Sequence, residues 1–226
     1  MGTELEAKYR LETQAQGQVL LHLPQLGGYH LEPAAAPELQ HNMYYDTADG
    51  RLQQHRYGLR IRRIGARSIA TLKGDSRSTA AGISERVEYE VEATLPDPYT
   101  WPASPARTHA LALLGDAPLL ELLRISTERQ HIYAWHEQQR VAEISLDHGT
   151  IHAGDLHEPF DELEIELLPD GSRADLDALI AALAAHLPLQ PEPRSKLARG
   201  LALLAQSAQS AQSAQSAPTP ALPTPR

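Results

Sequence analysis

The sequence predicts a mainly β member of the α+β class, built as an antiparallel barrel or sandwich. Three observations carry that reading. About eight short segments alternate apolar and polar residues at period two, Gly, Asp and Ser turn chemistry separates them, and only a few stretches have helical periodicity. A chain of 226 residues is long enough for one domain with a sizeable core. With one Phe, two Trp and two Met, that core must be filled mostly by Leu and Ala.

The first strand is read over residues 3–12, where Glu4, Glu6, Lys8 and Arg10 share one face and Leu5, Ala7 and Tyr9 the other. Residues 17–28 predict a short helix interrupted at Pro24 and closed by Gly27-Gly28. Strands follow at Met43-Tyr44-Tyr45, Gly58 to Arg63, Ser68 to Lys73 and Glu85 to Ala93. A Pro-rich loop spans Pro96 to Pro105, and Ala110 to Leu123 reads as helical with a break at Gly115 to Pro118. Strands resume at Arg129 to Trp135, Arg140 to Asp147 and Phe160 to Leu168. Ser172, with Asp175 three residues on, caps an amphipathic helix carrying Leu176, Leu179, Ile180, Leu183 and Leu187. Ser195 starts a last short helix with Lys196 and Arg199. Residues 1–205 are expected to form the folded domain, and the Ala-Gln-Ser repeat and Pro-rich segment of 206–226 a disordered tail.

Composition removes several classes. No cysteine is present, so disulfides, thiolate metal sites and thiol nucleophiles are excluded. A formal net charge of −9 argues against a nonspecific nucleic-acid binder. The opening Met1-Gly2-Thr3-Glu4 shows no basic segment followed by an apolar run, and no stretch resembles a membrane span. The expected location is the cytoplasm, with no nucleic-acid or membrane partner.

The charged faces are sorted by sign. Glu4 and Glu6 share a face; so do Arg60 and Arg62; Lys73 and Arg86 are followed by Glu88, Glu90 and Glu92; Glu143 lies with Asp147, and Glu162, Glu164 and Glu166 form a period-two row. Any one of these strands is most simply a half-exposed strand with its charges in water. Taken together they are costly, because like charges about 6 to 7 Å apart repel by roughly 2 to 3 kcal/mol at an effective dielectric near 20. A divalent cation on the carboxylates and a polyanion on the arginines and lysines offset that repulsion as a pair. All-oxygen ligands suit Mg²⁺ or Mn²⁺, and the guanidinium fork suits phosphate.

These residues also form an ordered set of motifs: Glu4-Leu5-Glu6-Ala7-Lys8, Asn42-Met43-Tyr44-Tyr45-Asp46-Thr47, Leu59-Arg60-Ile61-Arg62, Thr71-Leu72-Lys73 and Arg86-Val87-Glu88-Tyr89-Glu90. Arg129, Leu146-Asp147, Glu162-Leu163-Glu164-Ile165-Glu166 and Ser195-Lys196-Leu197-Ala198-Arg199 follow. The set resembles the CYTH domain of the triphosphate tunnel metalloenzymes, whose E-x-E-x-K signature matches residues 4 to 8, and within that superfamily the bacterial inorganic triphosphatases. In those proteins a helical, histidine-rich CHAD domain often follows. The resemblance spans residues 3 to 204 and implies an eight-stranded closed antiparallel barrel enclosing a tunnel, with helices packed outside.

By the same resemblance, Glu4, Glu6, Glu164 and Glu166, with Glu88, Glu90, Asp147 and Glu162, are metal candidates for Mg²⁺ or Mn²⁺. Lys8, Arg60, Arg62, Lys73, Arg86, Arg129, Lys196 and Arg199 would hold phosphates, and Lys8, Lys73, Glu90 and Lys196 would take catalytic roles. The implied reaction is hydrolysis of tripolyphosphate to pyrophosphate and phosphate, the triphosphate being the small-molecule partner. Alternatives on the same scaffold are a thiamine triphosphatase, a class IV adenylate cyclase, or a polyphosphate-binding module without turnover. His148, His152 and His157, around Gly149 and Gly154, read as a polar hairpin rather than a metal site, and Gly27-Gly28 lacks the setting of a phosphate loop.

Overall fold

The computed structural model describes residues 2–74, 77–79 and 82–215, with side chains for 3–74, 79 and 82–210. In chain order the first half contains β1 (Gly2–Arg10), α1 (Gln14–Gln18), β2 (Gln25–Leu26), β3 (Tyr29–Pro33), β4 (Glu38–Thr47), α2 (Arg51–Gln54), β5 (Gly58–Ile64), β6 (Arg67–Lys73), β7 (Arg77–Ser78) and β8 (Ile83–Glu92). The second half contains α3 (Pro105–Leu114), β9 (Leu119–His136), β10 (Gln139–Ala153), β11 (Leu156–Leu167), α4 (Arg173–Leu183), β12 (Gln190–Pro191) and α5 (Lys196–Gln215).

Eight of these strands close a barrel in the order β10-β11-β1-β8-β6-β5-β4-β9, with β9 returning to β10, and every adjacent pair is antiparallel. Closure pairs the barrel strands on both sides and removes open edges. The short strands are accessory: β2 and β3 extend from β9, β7 pairs with β8, and β12 pairs with β1.

Period-two alternation then sorts the side chains. Outward-facing apolar residues are covered by helices in two patches, and α5 closes one end of the barrel on a third, inward-facing one. Leu176, Leu179 and Leu183 of α4 pack over Ala7, Tyr9, Ile144, Leu163 and Ile165. Leu52 of α2, with Ala106, Ala110 and Leu114 of α3, covers Leu59, Ile61, Ala70 and Leu72. Leu197, Leu201 and Leu204 of α5 lie on Leu123, Ile125, Ile151 and Phe160. Each fully buried leucine contributes roughly 1.5 to 3 kcal/mol, and this places most of the core between barrel and helices, leaving the barrel interior to polar side chains except at the end closed by α5.

Local signals hold at the caps. Ser172 and Asp175 form a reciprocal capping box, with Ser172 N donating to Asp175 Oδ2 at 2.8 Å, and Ser195 Oγ accepts from Ala198 N at 3.0 Å. Where Gly149 crosses β9 within β10, a Cβ would lie 2.3 Å from the Ser126 carbonyl oxygen and 2.7 Å from Phe160 Cζ, so only glycine fits that crossing.

Four expectations need correction. The helix placed at 17–28 runs instead over Gln14–Gln18 with a 3₁₀ turn at Val19–His22, because the chain turns before Pro24 and pairs Gln25-Leu26 with β3. The helix placed at Ala110 to Leu123 is α3, which starts earlier, at Pro105, and stops at Leu114. Gly115, at φ +57°, breaks it, and Leu119 to Leu123 open β9. That apolar run fits either period, and pairing with β4 decides it. The strands are also longer than read: β9 has 18 residues and β10 has 15, and the hairpin read at His148 to His157 stands as the end of β10, a turn at Gly154 and the start of β11. The last helix is 20 residues, not short, and continues through Gln215 into the segment expected to be a disordered tail. Ala and Gln are good helix formers, and the helix is anchored by Leu197, Leu201 and Leu204. Residues 216–226 lie outside the described residues. Among the described residues no helix is long and apolar enough to cross a membrane.

Candidate active site

The barrel encloses a cavity of about 720 Å³. Fourteen of the residues expected at the site line it: Glu4, Glu6 and Lys8 from β1, Arg60 and Arg62 from β5, Lys73 from β6, Arg86, Glu88 and Glu90 from β8, Arg129 from β9, Asp147 from β10, Glu164 and Glu166 from β11, and Lys196 from α5. Strand parity explains the convergence of the strand residues, since along each strand they fall at period two on the inward face.

Arg199 and Glu162 do not line the cavity. Arg199 bonds Glu158 Oε1 through Nε at 2.8 Å and also contacts Glu162, and both the Arg199 and Glu162 side chains are buried. Glu162 reaches Lys196 Nζ at 2.6 Å. Their charges are used between β11 and α5, so the phosphate role read for Arg199 and the metal role read for Glu162 are not supported by position. Sequence spacing alone could not separate Glu162 from Glu164 and Glu166, which share its face.

The acidic wall is formed by β1, β8 and β11. Glu4 Oε2 accepts from Arg86 Nε at 2.7 Å and lies 3.1 Å from Lys73 Nζ; Glu6 Oε1 accepts from Arg86 Nη2 and Ser84 Oγ, each at 3.0 Å. Burial works to raise the Glu4 carboxyl, but Lys73 and Arg86 outweigh it and hold it well below the usual range. Glu88 lies 3.2 Å from Lys73 Nζ, yet burial and the nearby Glu4 and Glu90 charges push it upward. Glu166 stands directly opposite Glu6 across the β1–β11 pair and has no hydrogen bond or ion pair among the described residues. Burial and the Glu4, Glu6 and Glu88 charges push it up to about 8, against the pull of Lys73.

The basic wall lies on β4, β5 and β9. Arg62 donates from Nε to Asn42 Oδ1 at 2.9 Å and makes no ion pair among the described residues. Burial, with Arg60 and Arg129 beside it, lowers its guanidinium to about 10. Tyr44, on the cavity side of β4 and directly opposite Arg60, has its phenol lowered because Arg60, Lys73, Arg62 and Lys196 outweigh the effect of burial. Arg129 is held at 2.7 Å by both oxygens of Asp147 and by Glu164, and Lys196 sits 3.0 Å from Asp147 and 2.7 Å from Glu164. Asp147 and Glu164 therefore fix these two cations in place. Lys8 Nζ donates to the Arg194 carbonyl at 2.6 Å.

A model of the CYTH domain family matches residues 2–201, nearly the whole described chain and all the strands that carry these walls. The chain belongs to the CYTH family. It is 30% identical over 164 residues to the inorganic triphosphatase of Haemophilus influenzae, an alignment covering 72% of this chain and 45% of that protein, so this CYTH chain spans under half the length of that relative. Among solved structures it resembles a candidate adenylyl cyclase from Hippeastrum with a dominant triphosphatase activity, at a TM-score of 0.61 and 22% identity, over 90% of this chain and 96% of that one. A candidate adenylate cyclase from Bacillus halodurans matches at a TM-score of 0.57 and 22% identity, over 88% and 98%. At these identities the structural likenesses establish the fold.

Sequence reading missed several lining residues of this CYTH tunnel: Glu38, Gln40, Arg56, His131, Glu143 and Arg194. Glu38 and Gln40 precede the motif at Asn42 at the same period-two spacing, which is the signal that could have found them. Counting them, nine carboxylates and nine lysine or arginine side chains line the cavity, so its walls carry no large net charge and the overall −9 lies elsewhere.

A divalent cation fits the acidic wall by donor chemistry. The available atoms are all carboxylate oxygens, and Glu166, crowded by Glu4, Glu6 and Glu88, has no ion-pair partner among the described residues. No preassembled cage is present, because among the described residues no three acidic or histidine side chains converge at ligand spacing.

Proposed function

We propose that this CYTH chain hydrolyses inorganic triphosphate to pyrophosphate and phosphate with Mg²⁺ or Mn²⁺. One observation carries the reading: one cavity holds a charge-crowded carboxylate, Glu166, and a charge-crowded guanidinium, Arg62, neither of them ion-paired among the described residues. A ligand bringing cation and polyanion together relieves both. A bare triphosphate gains little from walls of balanced charge, whereas a metal–triphosphate complex suits them. The likeness to an inorganic triphosphatase supports the same substrate class.

Glu4, Glu6, Glu88 and Glu166 would hold the metal, which when bound supplies charge neutralisation and a polarised phosphoryl group. Arg60, Arg62 and Lys8 bind the phosphate oxygens and keep the chain aligned for in-line attack. Arg129 and Lys196, fixed by Asp147 and Glu164, present donors that do not need to reorganise as charge moves to the leaving oxygen. Glu90, which accepts from Thr71 Oγ1 at 3.0 Å and is half exposed, would orient water and take its proton.

Side-by-side turnover of tripolyphosphate, thiamine triphosphate and ATP, each with Mg²⁺ and with Mn²⁺, tests the assignment. Tripolyphosphate should give the highest kcat/KM. Cyclic AMP from ATP, preference for thiamine triphosphate, or binding with no phosphate released under either metal would each replace it.

A further inference from the structure

The two ends of the tunnel differ in chemistry. One end is walled by α5, where Leu197, Ala198 and Leu201 line the cavity and Leu197 packs so close to Gly58 that a Cβ there would meet it at 2.6 Å. Tyr44 lies beside that wall. Six residues away along β4, or about 20 Å of strand, the cavity-facing series ends at Glu38, the first residue of the strand. His131 of β9 and Glu143 of β10 meet it there. His131 Nδ1 is 2.7 Å from Glu143 Oε1 and its Nε2 is 3.7 Å from Glu38 Oε1. Side-chain exposure rises toward this end, from 1% at Asp147 to 17% at His131 and 32% at Glu38.

Both carboxylates are tied to the wall. Glu143 also accepts from Ser145 Oγ at 2.9 Å, and Glu38 from Gln40 Nε2 at 2.6 Å. Arg129, which pairs in register with Glu38, has its charge engaged by Asp147 and Glu164. A phosphate passing beyond Arg129 therefore meets two fixed carboxylates with His131 between them and, among the described residues, no uncommitted Lys or Arg of the barrel strands, while the far end offers the apolar side chains of α5.

We propose that Glu38, His131 and Glu143 form a collar that limits the length of the phosphate chain this tunnel accepts, making the three residues a specificity determinant against tetraphosphate and longer linear polyphosphates. The proposal rests on the triphosphate reading above. Exclusion by fixed like charge is a common route to specificity, and one unscreened contact of this kind lowers affinity by about tenfold or more.

The experiment uses the full chain with Mg²⁺ and compares tripolyphosphate with tetrapolyphosphate, by turnover and, separately, by calorimetric binding. Glu38→Gln, Glu143→Gln and the double variant retain the hydrogen-bond acceptors and remove the charge. In the double variant the tetra-to-tri ratio should rise about tenfold or more in kcat/KM and in affinity, with tripolyphosphate values within a few-fold of the parent. A ratio unchanged in a folded double variant, or a parent chain that takes both substrates equally well, overturns the collar. No turnover combined with a length preference in binding that the double variant loses would defeat the catalytic reading and leave the collar standing.

Discussion

The β1–β8–β11 wall and the β4–β5–β9 wall carry opposite charge, and each is left unsatisfied at one residue. On the first, Arg86 and Lys73 neutralise Glu4 and Glu6 but among the described residues nothing pairs with Glu166, which burial and its acidic neighbours lift to about 8. On the second, Asn42 is the hydrogen-bond partner of Arg62, which burial and its cationic neighbours bring down to about 10. A fold selected only for stability would pair the two residues or replace them with apolar side chains, since uncompensated buried charge destabilises. Their presence in one cavity is what the proposed metal–triphosphate ligand would answer.

The strongest way to break this comparison is to discharge the acidic wall. Glu4→Gln with Glu6→Gln should reduce Mg²⁺- or Mn²⁺-dependent phosphate release by about 10³-fold or more with the circular dichroism spectrum unchanged. Full activity in that double variant would remove the metal assignment. Arg199 gives a control just outside the cavity. Arg199→Leu removes the partner of Glu158 and one of the two cations on Glu162, which keeps Lys196, so urea denaturation should show a loss of about 3 kcal/mol, while KM of the folded fraction stays near that of the parent.

The basic wall is sharpened by Arg62→Met. Its kcat/KM for tripolyphosphate should fall roughly 10²-fold through loss of a phosphate contact. Because the folded guanidinium lies below its usual range, its penalty is fully present at neutral pH, and the variant's Tm should not drop. A marked fall in Tm would mean Arg62 has a stabilising partner.

The smallest effect belongs to Glu166. Its folded carboxyl is raised from 4.5 to about 8, so its contribution to stability is complete below pH 4.5 and is lost as pH rises through 8. In chelator, Glu166→Gln should match the parent near the acid end and exceed it above pH 8 by roughly 2 kcal/mol, after discounting for solvent in the tunnel. Added Mg²⁺ should close that gap in thermal unfolding, and equal stability at every pH would show that Glu166 is not crowded.

Much of this was legible in the sequence because strand parity is local. Glu4, Glu6, Arg60, Arg62, Glu164 and Glu166 were placed on common faces by period two alone, and the capping box at Ser172 and Asp175 needs only residues three apart. What the sequence by itself determined was therefore which residues share a face, and the motif order supplied the family. Only the tertiary structure decided which faces meet, that Glu162 and Arg199 leave the tunnel while Glu164 stays, and that Leu119 to Leu123 form strand rather than helix. The physical reason is range: periodicity and caps act over a few residues, whereas barrel register and ion pairing join side chains such as Glu4 and Arg86, 82 positions apart, through the packing of the whole chain.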